Sequence, residues 1–231
     1  MKNLEIYIHI PFCVRKCEYC DFLSFPADDD AKLRYVKGLM AEMIFYGPLM
    51  KNYQVSSVYI GGGTPSSIDE QWIAALMEGV FDCFNVLPDA EISIECNPGT
   101  LSREKLLAYK DAGINRLSIG LQSANNDELK LLGRIHTFEQ FVTNYEVARN
   151  VGFKNINVDL MYGLPGQSAS QYMATVNKII RLHPDHISAY SLIVEKGTPF
   201  YEKYKFDMVR QEAGMRTEFL PNEDELSLIH I

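Results

Sequence analysis

Strand-like and helix-like segments alternate along the chain, and this alternation limits the possible folds more than any other feature. Short apolar runs predict six strands, at residues 4–10, 57–60, 91–95, 116–120, 155–161 and 186–193. Helical patterns lie between them, at residues 30–46, 70–84, 102–112, 138–151 and 170–182. About six βα units in a row predict an α/β fold with a parallel sheet and helices outside it.

The order of the predicted elements does not decide between an open sheet and a partly closed barrel. In both geometries a ligand binds at the carboxyl ends of the strands. There is no low-complexity stretch or obvious linker, so residues 1–231 are expected to form one domain.

Three cysteines with the spacing Cys-x3-Cys-x2-Cys, namely Cys13, Cys17 and Cys20, follow the first predicted strand. The odd total of five cysteines and the lack of a signal peptide favour a reducing compartment over disulfides. Thiolates at this spacing suit a four-iron cluster with one open iron, or zinc if His9 or Asp21 completes the ligand set. The missing second cysteine pair favours the iron–sulfur interpretation, with zinc as the alternative.

Polar or small residues also mark the ends of later strands. A glycine turn, residues 61–65, follows the second strand, and Glu95 and Gln122 end the third and fourth. Asp159 lies in the apolar run of the fifth strand, where an unpaired carboxylate is costly. A plain turn and structural ion pairs are the alternative explanations. Together these positions predict a small-molecule site at one edge of the sheet.

Composition narrows the classes of partner. Hydrophobic residues make up 47% of the 231 residues and charged residues 23%, which is ordinary for a globular domain. The net charge of −8 gives no basic footprint, so we expect no nucleic-acid partner. Without an apolar run long enough to span a bilayer, we expect a cytoplasmic protein.

The cysteine spacing, with Tyr19 before the last cysteine, resembles the signature of the radical S-adenosylmethionine (SAM) superfamily. The longer string from Tyr7 to Phe22 resembles that superfamily's oxygen-independent coproporphyrinogen III oxidase-like branch. The oxidases of the branch follow the third cysteine with Gly and a fourth cysteine. Asp21 and Phe22 stand there in this chain, a departure that favours the heme-chaperone group of the branch.

The resemblance implies a radical SAM core, which is a partial (β/α)6 TIM-like barrel. It also implies a [4Fe-4S] cluster on the three cysteines and SAM as a second cofactor. The pattern Leu-Gly-Arg-x-His at residues 132–136 suggests that Arg134 approaches the SAM carboxylate. The full set of SAM contacts implied by the resemblance is Tyr7, Tyr19, Gly62, Gly63, Thr64, Glu95, Gln122, Arg134 and Asp159.

In function, the resemblance implies a chaperone that binds the cluster and SAM and delivers heme to an acceptor protein, whose membrane association the sequence does not reveal. The alternative is a coproporphyrinogen dehydrogenase-type enzyme of porphyrin biosynthesis, so enzymatic activity stays open and no residue is assigned as a catalytic group. An electron donor is implied in either case.

The resemblance runs from residue 6 to about residue 224. It implies a sixth outer helix and a C-terminal domain beyond residue 231, with a heme-linked His-Asn-x-x-Tyr-Trp motif that this sequence lacks. Residues 226–231 do not match the expected continuation, so the chain is expected to be a fragment.

Overall fold

Six parallel strands form one sheet in the computed structural model, which describes residues 2–222 and 226–227. The strands lie side by side in chain order, β1 to β6, and each neighbouring pair is parallel. The strands are β1 Lys2–Ile10, β2 Tyr53–Gly62, β3 Val86–Cys96, β4 Arg116–Gln122, β5 Asn155–Tyr162 and β6 His186–Ser191. The helices are α1 Asp29–Tyr46, α2 Glu70–Cys83, α3 Arg103–Asp111, α4 Asn126–Leu131, α5 Phe138–Val151, α6 Ala169–Ile180 and α7 Pro199–Glu212.

This architecture is the predicted partial (β/α)6 barrel. Its main core lies between the sheet and the outer helices, where apolar side chains of β1 to β5 meet those of α1, α2, α3, α5 and α6. Successive outer helices contact one another, α1 with α2 and α2 with α3. Burial is most complete in β4 and β5, as expected of parallel strands covered on both faces.

Helix caps follow the local sequence. Asp28 caps α1, its side chain accepting a hydrogen bond from the Ala31 N–H at 2.8 Å. Ser102 caps α3 in the same way, and Gly152 ends α5 with a left-handed φ of 102°. These residues satisfy backbone groups that a helix leaves without partners at its ends.

Two helices of the structure, α4 and α7, were not predicted from the sequence. Helix α4 has six residues, too few to display an apolar period. Helix α7 carries a start signal that was missed: Thr198 caps it and Pro199 is its first residue. The expectation that the sixth outer helix lies beyond residue 231 is therefore wrong, because α7 follows β6 within the chain. The end of the chain, residues 228–231, lies outside the described residues.

Strand bounds also differ from the prediction. Strands β2 and β3 begin earlier, at Tyr53 and Val86, and β6 ends at Ser191 instead of residue 193. The early parts of β2 and β3 include exposed and polar residues, which carry little strand signal.

Helix α7 covers a second apolar cluster, which includes Leu132 and Met161. The segment after α7 is tied back through Asp207, whose carboxylate accepts hydrogen bonds from the N–H groups of Glu218, Phe219 and Leu220. Among the described residues, no helix combines the length and apolar character needed to cross a bilayer.

Candidate functional site

A cavity of about 340 Å3 opens at the carboxyl ends of the strands. Its walls come from the cysteine loop after β1 and from the ends of β2 to β6. The predicted site residues that line it are Cys13, Cys17, Tyr19, Cys20, Gly62, Gly63, Thr64, Glu95, Gln122, Arg134 and Asp159. Residues more than a hundred positions apart are thus brought to one site by the parallel strand order.

Tyr7 is the predicted site residue that does not line this cavity. Its side chain is 58% exposed, and its hydroxyl lies 2.9 Å from Nδ1 of His9. Its ring stacks on that of Tyr59, with the ring centres 6.2 Å apart. Tyr7 therefore stands beside the site, in contact with Tyr59, whose hydroxyl bonds to the cavity residue Glu95.

The cysteine loop is held against the rest of the chain by backbone hydrogen bonds. Phe25 pairs with the start of the loop, its N–H donating to Pro11 O at 2.9 Å and its carbonyl accepting from Cys13 N at 3.2 Å. Cys20 N donates to Cys17 O at 3.2 Å, which closes a turn between the last two cysteines. Burial raises the pKa of the Cys20 thiol, so a bound metal would have to offset this cost to hold the thiolate.

The glycine turn packs directly beneath this loop. Gly63 N donates to Ile10 O and Thr64 N donates to Phe12 O, both at 2.8 Å. A Cβ on Gly63 would lie 2.8 Å from Phe12 O and 3.1 Å from Cys13 Sγ. Glycine is needed there because the turn approaches the first cysteine too closely for a side chain.

Two carboxylates face the cavity from the sheet. Glu95 accepts hydrogen bonds from the Tyr59 hydroxyl at 2.8 Å and from Gly62 N at 3.0 Å. Burial nevertheless raises the pKa of Glu95. Asp159 accepts from Asn157 Nδ2 at 2.6 Å and from the Ser118 hydroxyl at 3.2 Å. Both carboxylates are thus oriented by neighbours on the sheet.

Gln122 ends β4 with a φ of 75°, which residues other than glycine adopt infrequently. The register between β4 and β5 shifts at this point, which turns the side chain into the site. The Tyr190 hydroxyl donates to Gln122 Oε1 at 2.7 Å. Burial raises the pKa of Tyr190 to about 12, so the hydroxyl stays protonated as a donor.

Arg134 reaches the cavity from the turn after α4. Its Nη2 donates to Gly120 O at 2.6 Å, and its Nη1 lies 3.5 Å from Cys17 Sγ. Its Nε is shut off from solvent and has no hydrogen-bond partner among the described residues. A buried guanidinium N–H without an acceptor is costly, and the positive charge of this guanidinium at the cavity wall favours an anionic ligand.

Several lining residues were not predicted from the sequence. Besides Tyr190, the cavity walls include Ser118, Met161 and Ile193. Met161 and Tyr190 are paired across β5 and β6, two residues beyond Asp159 and Ser188. Met161 could have been predicted from the sequence, because the residue two positions after Asp159 in a strand points to the same face of the sheet.

The donor set fits a cluster better than a single ion. Among the described residues, no three His, Cys, Asp or Glu side chains converge as ligands of one metal ion. A four-iron cluster does not require such convergence, because each thiolate binds its own iron. Three cysteines on one loop, an unpaired guanidinium N–H and a wall cleared by Gly63 are consistent with a cluster beside an anionic ligand.

A partial parallel barrel with a three-cysteine loop at the carboxyl ends of its strands defines a class of proteins. Residues 7–179 match the Radical SAM superfamily, and the chain belongs to that family. The family resemblance seen in the motifs is therefore confirmed.

Within the family, the chain is similar to heme chaperones. It is 41% identical to the heme chaperone HemW of Bacillus subtilis, over 84% of this chain and 52% of that protein. It is 37% identical to HemW of Escherichia coli, over 96% of this chain and 56% of that protein. The chain thus spans about half the length of the curated relatives it matches.

Among solved structures, the fold is similar to that of the coproporphyrinogen III oxidase HemN from Escherichia coli, which is described as a radical SAM enzyme. The TM-score is 0.86 at 30% identity, over 99% of this chain and 51% of that one.

Proposed function

We propose that this chain is the core of a HemW-like heme chaperone. In this proposal Cys13, Cys17 and Cys20 hold a [4Fe-4S] cluster, and SAM occupies the adjoining cavity. The observation that carries the proposal is the position of Arg134, whose Nη1 faces the Cys17 sulfur while its Nε lacks an acceptor. One guanidinium therefore adjoins both the proposed cluster ligand and the cavity in which we place the SAM carboxylate.

Each polar side chain of the site has a proposed part in binding SAM. Arg134 pairs with the carboxylate, and backbone groups of Gly62, Gly63 and Thr64 face the amino group. Gln122 and Asp159 supply a fixed donor and a fixed acceptor, because Tyr190 and Ser118 orient them. Tyr19 adds a backbone contact to the adenine, and the remaining proposed SAM contacts are Glu95 and Tyr7.

When bound, the cluster and SAM supply one-electron chemistry. The chain's own side chains contribute orientation, a partly buried setting and fixed dipoles. Delivery of heme to an acceptor protein, an unidentified electron donor and a cytoplasmic location belong to the same proposal. It is supported by the HemW similarity and by Asp21 and Phe22, which stand where the oxidases of the branch carry Gly and a fourth cysteine.

The metal assignment is tested by anaerobic reconstitution with iron and sulfide, followed by analysis of both elements. We expect about four irons and four sulfides per chain, and strong loss in Cys17→Ser. Cys83→Ser is the matched control, because Cys83 is half-buried in helix α2 and does not line the cavity. Stoichiometric zinc without sulfide would contradict the proposal.

A coproporphyrinogen III oxidase is the second candidate, favoured by the similarity to HemN. Incubation of the reconstituted chain with SAM, a reductant and coproporphyrinogen III separates the two. We expect no protoporphyrinogen from this chain, and its formation would refute the chaperone proposal.

Heme binding is tested separately by titration. Because the chain spans about half of its HemW relatives and lacks their His-Asn-x-x-Tyr-Trp motif, we expect weak binding. Tight, stoichiometric binding by this chain would contradict that expectation.

A further inference from the structure

The cysteine loop and the turn that carries Arg134 are docked to each other by one backbone hydrogen bond and one bond from the Arg15 side chain to the backbone of the turn. Glu18 N donates to Leu132 O at 3.1 Å, and Arg15 Nη2 donates to Gly133 O at 2.7 Å. Gly133 has a φ of 75°, and a Cβ there would meet Glu18 Cγ at 3.0 Å. Arg134 is therefore held beside the loop by the path of the main chain and not by its side-chain rotamer alone.

The three thiols have different surroundings. Cys17 Sγ lies 3.5 Å from Arg134 Nη1, a permanently charged donor. Cys13 Sγ lies 3.4 Å from the neutral hydroxyl of Thr64. Cys20 interacts with the backbone at Phe22 and with the hydroxyl of Ser24. The charged donor is thus directed at the middle cysteine of the loop.

The same guanidinium is anchored at its other end. Nη2 donates to Gly120 O at 2.6 Å, at the carboxyl end of β4. With Nη2 on the sheet and Nη1 on the thiol, the guanidinium is held at both ends by the chain itself. The contact to Cys17 therefore needs no ligand to form.

We propose that Arg134 is a positioning residue that raises the reduction potential of the cluster by donating a hydrogen bond to the Cys17 thiolate. This inference rests on the proposed function. Reduction adds one electron to the cluster and its thiolates, and a charged donor stabilises the more negative state. Burial strengthens this effect because the screening by water is weaker there.

The test is a potentiometric titration of the reconstituted chain with dithionite and redox mediators, without SAM, followed by electron paramagnetic resonance. In Arg134→Gln we expect the equilibrium constant for reduction to fall at least about tenfold, which is about 59 mV for a one-electron couple. An unchanged potential in the loaded variant would overturn the inference and leave the proposed function intact. Failure of the wild-type chain to assemble a cluster would refute both.

The matched control is Lys16→Gln, which removes another cation from the same loop, because the Lys16 Nζ bonds to Phe22 O and to neither a thiol nor the turn that carries Arg134. We expect less than a twofold change in the equilibrium constant. An equal effect of the two variants would show that general charge is responsible, and would overturn the hydrogen-bond assignment.

A second measurement does not depend on variants that fold. In wild-type chain labelled with 15N-arginine, pulsed paramagnetic resonance of the reduced cluster should show coupling to a guanidinium nitrogen. The coupling should persist in Lys16→Gln. Its absence from the loaded wild-type chain would refute the contact.

Discussion

Replacing Gly63 with alanine tests whether the glycine turn supports the cysteine loop. The added Cβ would lie 2.8 Å from Phe12 O and 3.1 Å from both Ile10 O and Cys13 Sγ. Two of these atoms are backbone carbonyls that already accept hydrogen bonds, from Thr64 N and Gly63 N. The clash is therefore relieved only if the loop moves away from the turn and both bonds lengthen.

The expected cost follows from this geometry. Overpacking at a rigid position costs about 1–3 kcal/mol, so we expect Gly63→Ala to lower the free energy of unfolding by about 2 kcal/mol. Because Cys13 moves with the loop, the iron content after reconstitution should fall as well. The measurements are urea unfolding followed by circular dichroism, and iron analysis per chain.

The chain offers a matched control in Gly38, inside helix α1, where an added Cβ has no neighbour within 4 Å. Gly38→Ala should raise the free energy of unfolding by roughly 0.5–1 kcal/mol, because alanine loses less backbone entropy in a helix. If Gly63→Ala unfolds at the wild-type urea concentration and binds the same iron, the turn does not support the loop.

Three further substitutions have definite expected outcomes. Asp207→Ala should lower the free energy of unfolding by about 3 kcal/mol, because three N–H groups lose a buried carboxylate. Burial of Asp207 raises the pKa of its carboxyl, but the three N–H donors outweigh this effect, so the pKa is lowered. The difference in the free energy of unfolding between the variant and wild type, measured in urea, should therefore shrink below about pH 4. Burial and Arg134 lower the pKa of His136 to about 3 in the folded chain. As the pH falls below about 6.5, this histidine is protonated in the unfolded chain but not in the folded one, so the wild-type free energy of unfolding should decrease. His136→Gln should reduce that fall between pH 7 and pH 5, and an unchanged slope in urea titrations would contradict the assignment. Tyr190→Phe should cost about 1 kcal/mol through loss of the bond to Gln122, and thermal unfolding that matches wild type would argue against that bond.

The fold could be predicted because each strand of a parallel sheet shows as a short apolar run in the local sequence. Each of the six strands was placed by its apolar run, and the parallel sheet followed from the alternation with helices. The partial barrel, in which the strands lie in chain order, was implied only by the family resemblance. Helix α4 could not be found this way, since six residues span less than two turns. Helix α7 was missed although Thr198 and Pro199 mark its start, because apolar residues such as Phe206 and Val209 also stand on its exposed face and obscure the helical period.

The site was predicted less completely than the fold. Glu95 and Asp159 were found because carboxylates at strand ends are conspicuous in apolar surroundings. Tyr190 was missed because a tyrosine in a strand is ordinary, although its side chain lines the cavity and bonds to Gln122. That bond depends on the positive φ of Gln122, which the sequence gives no means to foresee.

The docking of the cysteine loop onto Arg134 joins residues 117 positions apart. During synthesis at about 5–20 residues per second, the thiols are therefore made roughly ten seconds before the turn that carries Arg134. During that interval the loop has its partners from β1 but lacks Arg134 and the walls from β4 to β6. The order of translation therefore sets how long Cys17 is without its charged neighbour.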